Sequence, residues 1–183
     1  RSAGLAVTII VLLASCSTTK YVAENERLLS RVQIYSDARD IKRSDLKPYL
    51  RQQENLRTLG FWKFHLGLYN LSGRDASKGI NRWLKNIGEA PVIFDSTLVD
   101  RSAEQIKLFL NNRGYYLSDV DYQLSFPSDK KAKVSYYINS GVRYRLNELY
   151  YKIEDKNLES LVLNDTINRS MRSGRGFTSQ MHE

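Results

Sequence analysis

Few side chains among these 183 residues have the types and spacing that bond-making chemistry requires. Cys16 is the only thiol, so it can form no intramolecular disulfide and stands either as a small buried hydrophobe or as a group open to modification. The two histidines, His65 and His182, have no cysteine or carboxylate cluster at metal-ligand spacing, which argues against a zinc site and leaves His65, inside Phe64-His65-Leu66, as a packed or rim side chain. No Gly-Lys-Ser/Thr phosphate loop is present, and Ser173-Gly174-Arg175-Gly176 is too short to cradle a nucleotide. Asp119 and Asp121 fall on the polar side of an alternating run, and Asp95-Ser96-Thr97 and Asp165-Thr166-Ile167 read as turns. The expectation is a non-enzyme with no catalytic residues, metal or cofactor.

Cys16 ends the run Leu13-Ala14-Ser15-Cys16, directly behind an apolar stretch from Leu5 to Ala14. Ten helical residues reach roughly 15 Å, half of the roughly 30 Å hydrocarbon core, so the stretch reads as the apolar region of an export signal rather than a membrane span. The four residues ending at Cys16 resemble the lipobox of bacterial lipoproteins. That resemblance implies that residues 1–15 are removed and that Cys16 is acylated, with a palmitate-type chain, as the first residue of a lipidated tether over 16–26. Ser17, with no acidic pair among Thr18, Thr19 and Lys20, implies an anchor in the inner leaflet of the outer membrane with the domain facing the periplasm.

An exported chain without a disulfide must be stabilised by a hydrophobic core. Twelve Tyr, six Phe and two Trp argue against disorder over most of the length. The net charge of +8 is scattered, in groups such as Lys42-Arg43 and Lys130-Lys131. It reads as a solvated basic face, with anionic head groups as the minority partner and nucleic acid excluded by export. With an n-region of only Arg1-Ser2 and no closing element after Phe177, the sequence reads as part of a longer polypeptide.

The elements follow from periodicity. Val32 and Ile34 alternate with polar neighbours as in a half-buried strand. Ser44 or Asp45 then caps a helix carrying Leu46, Tyr49, Leu50 and Gln53. The tract Leu59–Leu71 is apolar nearly all round, and Trp83, Leu84 and Ile87 repeat at helical spacing before Gly88. A capping box at Ser102 and Gln105 opens a helix with Ala103, Ile106, Phe109 and Leu110 on one face and Gly114 at its end. Two alternating runs, Val120–Phe126 and Val134–Ile138, flank the turn Pro127–Lys130 as a hairpin. Strand and helix patterns restart at Tyr144 and Leu158.

The helix ending Asn112-Arg113-Gly114-Tyr115-Tyr116, the hairpin from Ser118 to Ile138, the turn Ser140-Gly141 and the restart Tyr144-Arg145-Leu146-Asn147 resemble POTRA domains, the periplasmic repeats of the BamA and TamA superfamily of outer-membrane assembly factors. The tract Leu59-Gly60-Phe61-Trp62 through Gly73, with Asn81–Leu84 and Ile87–Pro91, resembles the TamL-type lipoprotein branch, as does Cys16. The resemblance implies an α+β fold with a three-stranded mixed sheet packed on helices: a first domain over 27–142 with a helical insertion, and the start of a second over 143–183. It also implies a scaffold for a C-terminal barrel, with unfolded outer-membrane proteins as clients and an inner-membrane partner of the TamB type. Open sheet edges at Ser118–Phe126 or Val32–Tyr35 would accept client strands, with Tyr116, Tyr136 and Phe109 as candidate contacts. The competing expectation is a lipid-anchored structural spacer or ligand-binding protein.

Overall fold

The computed structural model describes residues 18–58, 63–73, 75, 79–147, 152–156, 158 and 160–161. Strand β1 (Leu28–Ser36) is followed by a short helix α1 (Arg43–Leu46), a 3-10 turn (Lys47–Tyr49), helices α2 (Phe64–Leu71), α3 (Gly79–Ile87) and α4 (Ser96–Asn112), and strands β2 (Asp119–Ser128) and β3 (Lys131–Asn139). The strands form one sheet in the order β1-β3-β2. Leu28 N–H donates to Lys130 O, Ser30 Oγ to Ala132 O, and the Tyr35 ring stacks on Tyr137. Both partners advance together, so β1 and β3 are parallel, whereas the turn Asp129-Lys130 makes β2 and β3 an antiparallel hairpin. The sheet is mixed, as expected.

Two helix starts differ from expectation. Helix α4 begins at Ser96, six residues ahead of Ser102, because the Asp95 carboxylate takes the Thr97 N–H at 2.8 Å and the Thr97 hydroxyl at 2.7 Å. Ser102 lies within the helix, fully buried. Helix α1 starts behind Lys42, whose N–H is bound by the Asp45 carboxylate at 3.0 Å, and it stops at Leu46 rather than reaching Gln53. Pro48 has no N–H to return to residue 44, so the chain tightens into the 3-10 turn and Leu50 is extended. The end of α4 is as expected: Gly114, at φ 88°, donates to Asn111 O while Tyr115 N–H donates to Leu110 O, the paired bonds of a Schellman cap.

The chain divides into two compact units. The first comprises Arg1–Gln33, Arg51–Val99 and Tyr122–Tyr136. Here Val22, Leu28 and Leu66 form a buried cluster against Ile93, helices α2 and α3 pack together, and Asn55, fully buried, is satisfied by Ala90 O and Val92 N–H. Gly88 is required where α3 ends, since a Cβ there would come within 2.6 Å of Tyr69 N. The second unit comprises Ile34–Leu50, Asp100–Asp121 and Tyr137–Glu183. Ile106 and Leu110 are fully buried on the α4 face anticipated from spacing, and the Phe109 ring lies 4.6 Å from that of Tyr49. The expected signal and Cys16, residues 59–62, and most of the strand and helix expected to restart at Tyr144 and Leu158 lie outside the described residues.

Candidate functional site

Strands β1 and β2 are the two outer strands of the sheet, and their edges differ. The start of β1 is covered by its own chain. Leu29 N–H donates to Val92 O and Phe94 N–H to Arg27 O, around an antiparallel bridge between Leu28 and Ile93. Asn55 holds this covering segment from behind, and the Gln52 side chain bonds both Ile93 O and Asp95 N–H. Further along, the Glu54 carboxylate accepts Val32 N–H at 2.9 Å, Arg57 Nη2 donates to Ser30 O at 3.2 Å, and Lys63 Nζ reaches Leu29 O at 3.5 Å. Arg57 and Glu54 are paired at 3.0 Å, and burial pulls the Lys63 amine below its ordinary value. Leu29 and Val32 both aim their N–H groups outward although strict alternation would oppose residues three apart. Leu28 and Leu29 are both buried. A cavity of about 300 Å³ adjoins the far end of β1, lined by Ile34, Tyr35, Ser36, Ile41, Arg43 and Leu46.

Among the described residues, strand β2 has one strand neighbour, β3, and most of its residues are exposed. Val120 and Leu124 are half-buried, whereas Asp119, Asp121, Gln123 and Ser125 face solvent. Phe126 is 51% exposed, edge-to-face with the Phe94 ring and with the Arg27 guanidinium 4.7 Å from its centre. Tyr122 is 38% exposed, with its ring edge toward Tyr136. The Lys107–Asp119 pair at 3.4 Å has both side chains at least half exposed and adds little. This is an accessible edge with an aromatic at every fourth place, Tyr122 and Phe126.

Of the three candidate contact residues, one remains accessible. Tyr116 is 47% exposed with its ring edge-on to Tyr144. Tyr136, at 2% exposure, is a core residue of the central strand with its hydroxyl 3.5 Å from Val99 O, and Phe109, at 7%, belongs to the α4 core. Phe109 stands on the inward face anticipated for it, which leaves it no contact role, whereas Tyr136 was expected to present a wet tip at an interface. Each lies on the inward phase of its element, and a tyrosine's polar tip does not bring it to the surface once a carbonyl receives it. The region 16–26 is also less free than a tether from Lys20 onward: Lys20 Nζ donates to Asn70 O and Ser72 O, Tyr21 donates to Ser72 O at 2.5 Å, and Lys130 Nζ binds Val22 O and Ala23 O. His65 packs beside Phe64, in keeping with a rim residue, and no group of three metal-ligating side chains converges among the described residues.

A mixed three-stranded sheet in β-α-α-β-β order, interrupted by the extra helix pair α2–α3, defines a small α+β module with one covered and one exposed edge. The family model for POTRA, surface antigen variable number repeat, matches residues 28–141, and the chain belongs to this family. Among solved structures it is similar to the fourth POTRA domain of Haemophilus influenzae BamA, at 14% identity and a TM-score of 0.39, covering 64% of this chain and 95% of that one. It is also similar to the third to fifth POTRA domains of the same protein, at 13% identity and a TM-score of 0.31, covering 88% and 85%. No curated protein matches the chain.

Proposed function

We propose that this chain is the periplasmic POTRA region of an outer-membrane assembly factor of the TamL type, attached to the membrane through acylated Cys16, and that it receives extended client strands on the outer edge of β2. The region is non-catalytic and scaffolds a barrel encoded beyond it, and an inner-membrane partner of the TamB type belongs to the same reading. One observation carries the choice of edge: the start of β1 is covered by residues 92–94, Glu54, Arg57 and Lys63, while β2 is an exposed outer strand. Backbone pairing asks for no particular client side chain, so one edge serves many unfolded barrel strands. Tyr122 and Phe126 supply apolar surface with a wet tip or a cationic neighbour for whatever side chains the client presents.

Proline scanning tests this. Proline at alternate positions of β2 removes either the N–H groups that bond β3 or those that face outward. The first set should unfold the domain; the second should leave its melting curve intact and abolish binding of barrel-derived peptides. Proline at Val32 or Ile34 should not change affinity in any variant that folds. If every fold-competent β2 variant binds as tightly as the wild type, strand addition is excluded and the spacer reading replaces it.

A further inference from the structure

Helix α3 exposes an apolar stripe. Ile80, Trp83 and Ile87 fall at i, i+3 and i+7 and are 68%, 59% and 38% exposed, while Asn81, Leu84 and Lys85 turn toward the rest of the unit. Asn81 takes Gly73 N–H at 2.9 Å, and Lys85 Nζ sits over the Tyr21 ring at 5.7 Å. Leu71, 57% exposed, ends the preceding helix two residues before Gly73. The sequence of this segment is basic on balance. Between Ser72 and Gly88 the sequence carries Arg74, Lys78, Arg82 and Lys85 against the single acid Asp75. Apolar side chains with a tryptophan among them, on a short helix rich in cations, have the composition of an element that lies in the head-group region of an anionic bilayer.

On the Cys16 anchor reading, the chain brings a membrane close to this helix. Lys20 Nζ caps the C-terminal end of α2 through Asn70 O and Ser72 O, Tyr21 binds Ser72 O, and the Tyr21 ring meets Tyr69 edge-on. The segment arriving from Cys16 is thus fastened at the α2–α3 junction, and the four steps from Cys16 to Lys20 span at most about 14 Å. A lipid at Cys16 holds this junction close to the bilayer surface.

We infer that the Ile80–Trp83–Ile87 stripe of α3 inserts into the interface of an anionic phospholipid membrane. It rests on the Cys16 anchor reading only for where the membrane lies. The consequence is orientation: the anchor and the stripe together make a second attachment from contacts that are individually weak, and fix which side of the domain faces lipid.

The test uses the full chain as cells mature it, with Trp62→Phe leaving Trp83 as the sole indole, on vesicles of phosphatidylethanolamine and phosphatidylglycerol carrying brominated acyl chains. Trp83 emission should shift to the blue and be quenched by the brominated lipid. Replacing both Ile80 and Ile87 with serine should lower vesicle partitioning by about tenfold or more without moving the melting temperature. Should Trp62→Phe fail to fold, sedimentation of the otherwise wild-type chain with and without the two serines gives the same comparison. The mass of the N-terminal peptide reports the acyl group separately. Quenched Trp83 in a chain without an acyl group upholds membrane insertion and removes the anchor alone. Trp83 emission that saturating vesicles leave unchanged, acylated or not, overturns the inference.

Discussion

The Tyr115 hydroxyl donates to one oxygen of the Asp40 carboxylate, 75 residues earlier, and Arg143 Nη1 lies 2.6 Å from the other. Arg143 Nε also reaches Arg113 O, so the residues behind Gly114 and Gly141 are tied to the loop after β1. Burial, reinforced by the bond to Asp40, pushes the Tyr115 hydroxyl up to about 12. Burial works against the Asp40 charge as well, but the Tyr115 hydroxyl, a backbone bond and the two arginines outweigh it and hold the carboxyl below its ordinary 3.8. Asp37 is lowered too, chiefly by Ser140 N–H, which donates to it at 2.8 Å.

Both carboxylates have folded values below their unfolded ones, so the stability they contribute is present above the ordinary carboxylate value and is lost as pH falls through the folded values. Wild-type melting temperature should hold from neutrality to about pH 5 and drop steeply at lower pH, while the double variant Asp37→Asn, Asp40→Asn should start lower at neutrality and lose less on acidification. Melting followed across this range decides it. Parallel curves for the two proteins would place the acid sensitivity on other carboxylates.

Phe109→Ala should cost about 3–5 kcal/mol, because the ring is almost fully buried and packs on Tyr49 with the Arg113 guanidinium over it. Leu108→Ala, one position away and 54% exposed, should change stability by less than about 0.5 kcal/mol. Urea unfolding of the two variants measures the contrast, and equal costs would mean that the inward face of α4 is misassigned.

What was legible in the sequence was whatever depends on neighbours a few residues apart. The alternation at Val32–Ile34, the hairpin around Asp129-Lys130, the Ile106–Phe109–Leu110 face and the Gly114 stop all stand in the structure. The start of α4 lies ahead of Ser102 because Ser102 and Gln105 satisfy the capping pattern only locally, whereas the Asp95 carboxylate is what accepts Thr97 N–H in the fold. The unequal edges could not be read at all: β1 is covered by Glu54, Arg57 and residues 92–94, which come to it from 22 to more than 60 positions away and carry no shared motif. Tyr136 looked like an interface aromatic because composition shows a polar atom but not the carbonyl that accepts it in the interior.

Asp95→Ala should destabilise the domain by about 1 kcal/mol, since it strips the cap from Thr97 N–H at the first turn of α4. Asp95→Asn should recover most of that loss, because an amide oxygen still accepts the bond. Thermal unfolding of the pair separates a capping role from a charge effect. An asparagine variant as unstable as the alanine one would show that the negative charge at the helix start, rather than the hydrogen bond, is what matters.

The anchor is tested at Cys16. Metabolic labelling with a fatty-acid analogue should tag the wild type and spare Cys16→Ser, and equal labelling of both would end the lipoprotein reading. Because Lys20 is already fastened to Asn70 and Ser72, the acylated form has only the residues between Cys16 and Lys20 as slack, so losing the acyl chain should weaken membrane attachment to what the α3 stripe alone supplies. With Ser17 behind the cysteine, fractionation should place the labelled protein in the outer membrane. The side is decided by protease: on intact cells the folded domain should survive, and after the outer membrane is permeabilised it should be cut. Digestion on intact cells would show that the domain faces outward and that its clients meet it outside the periplasm.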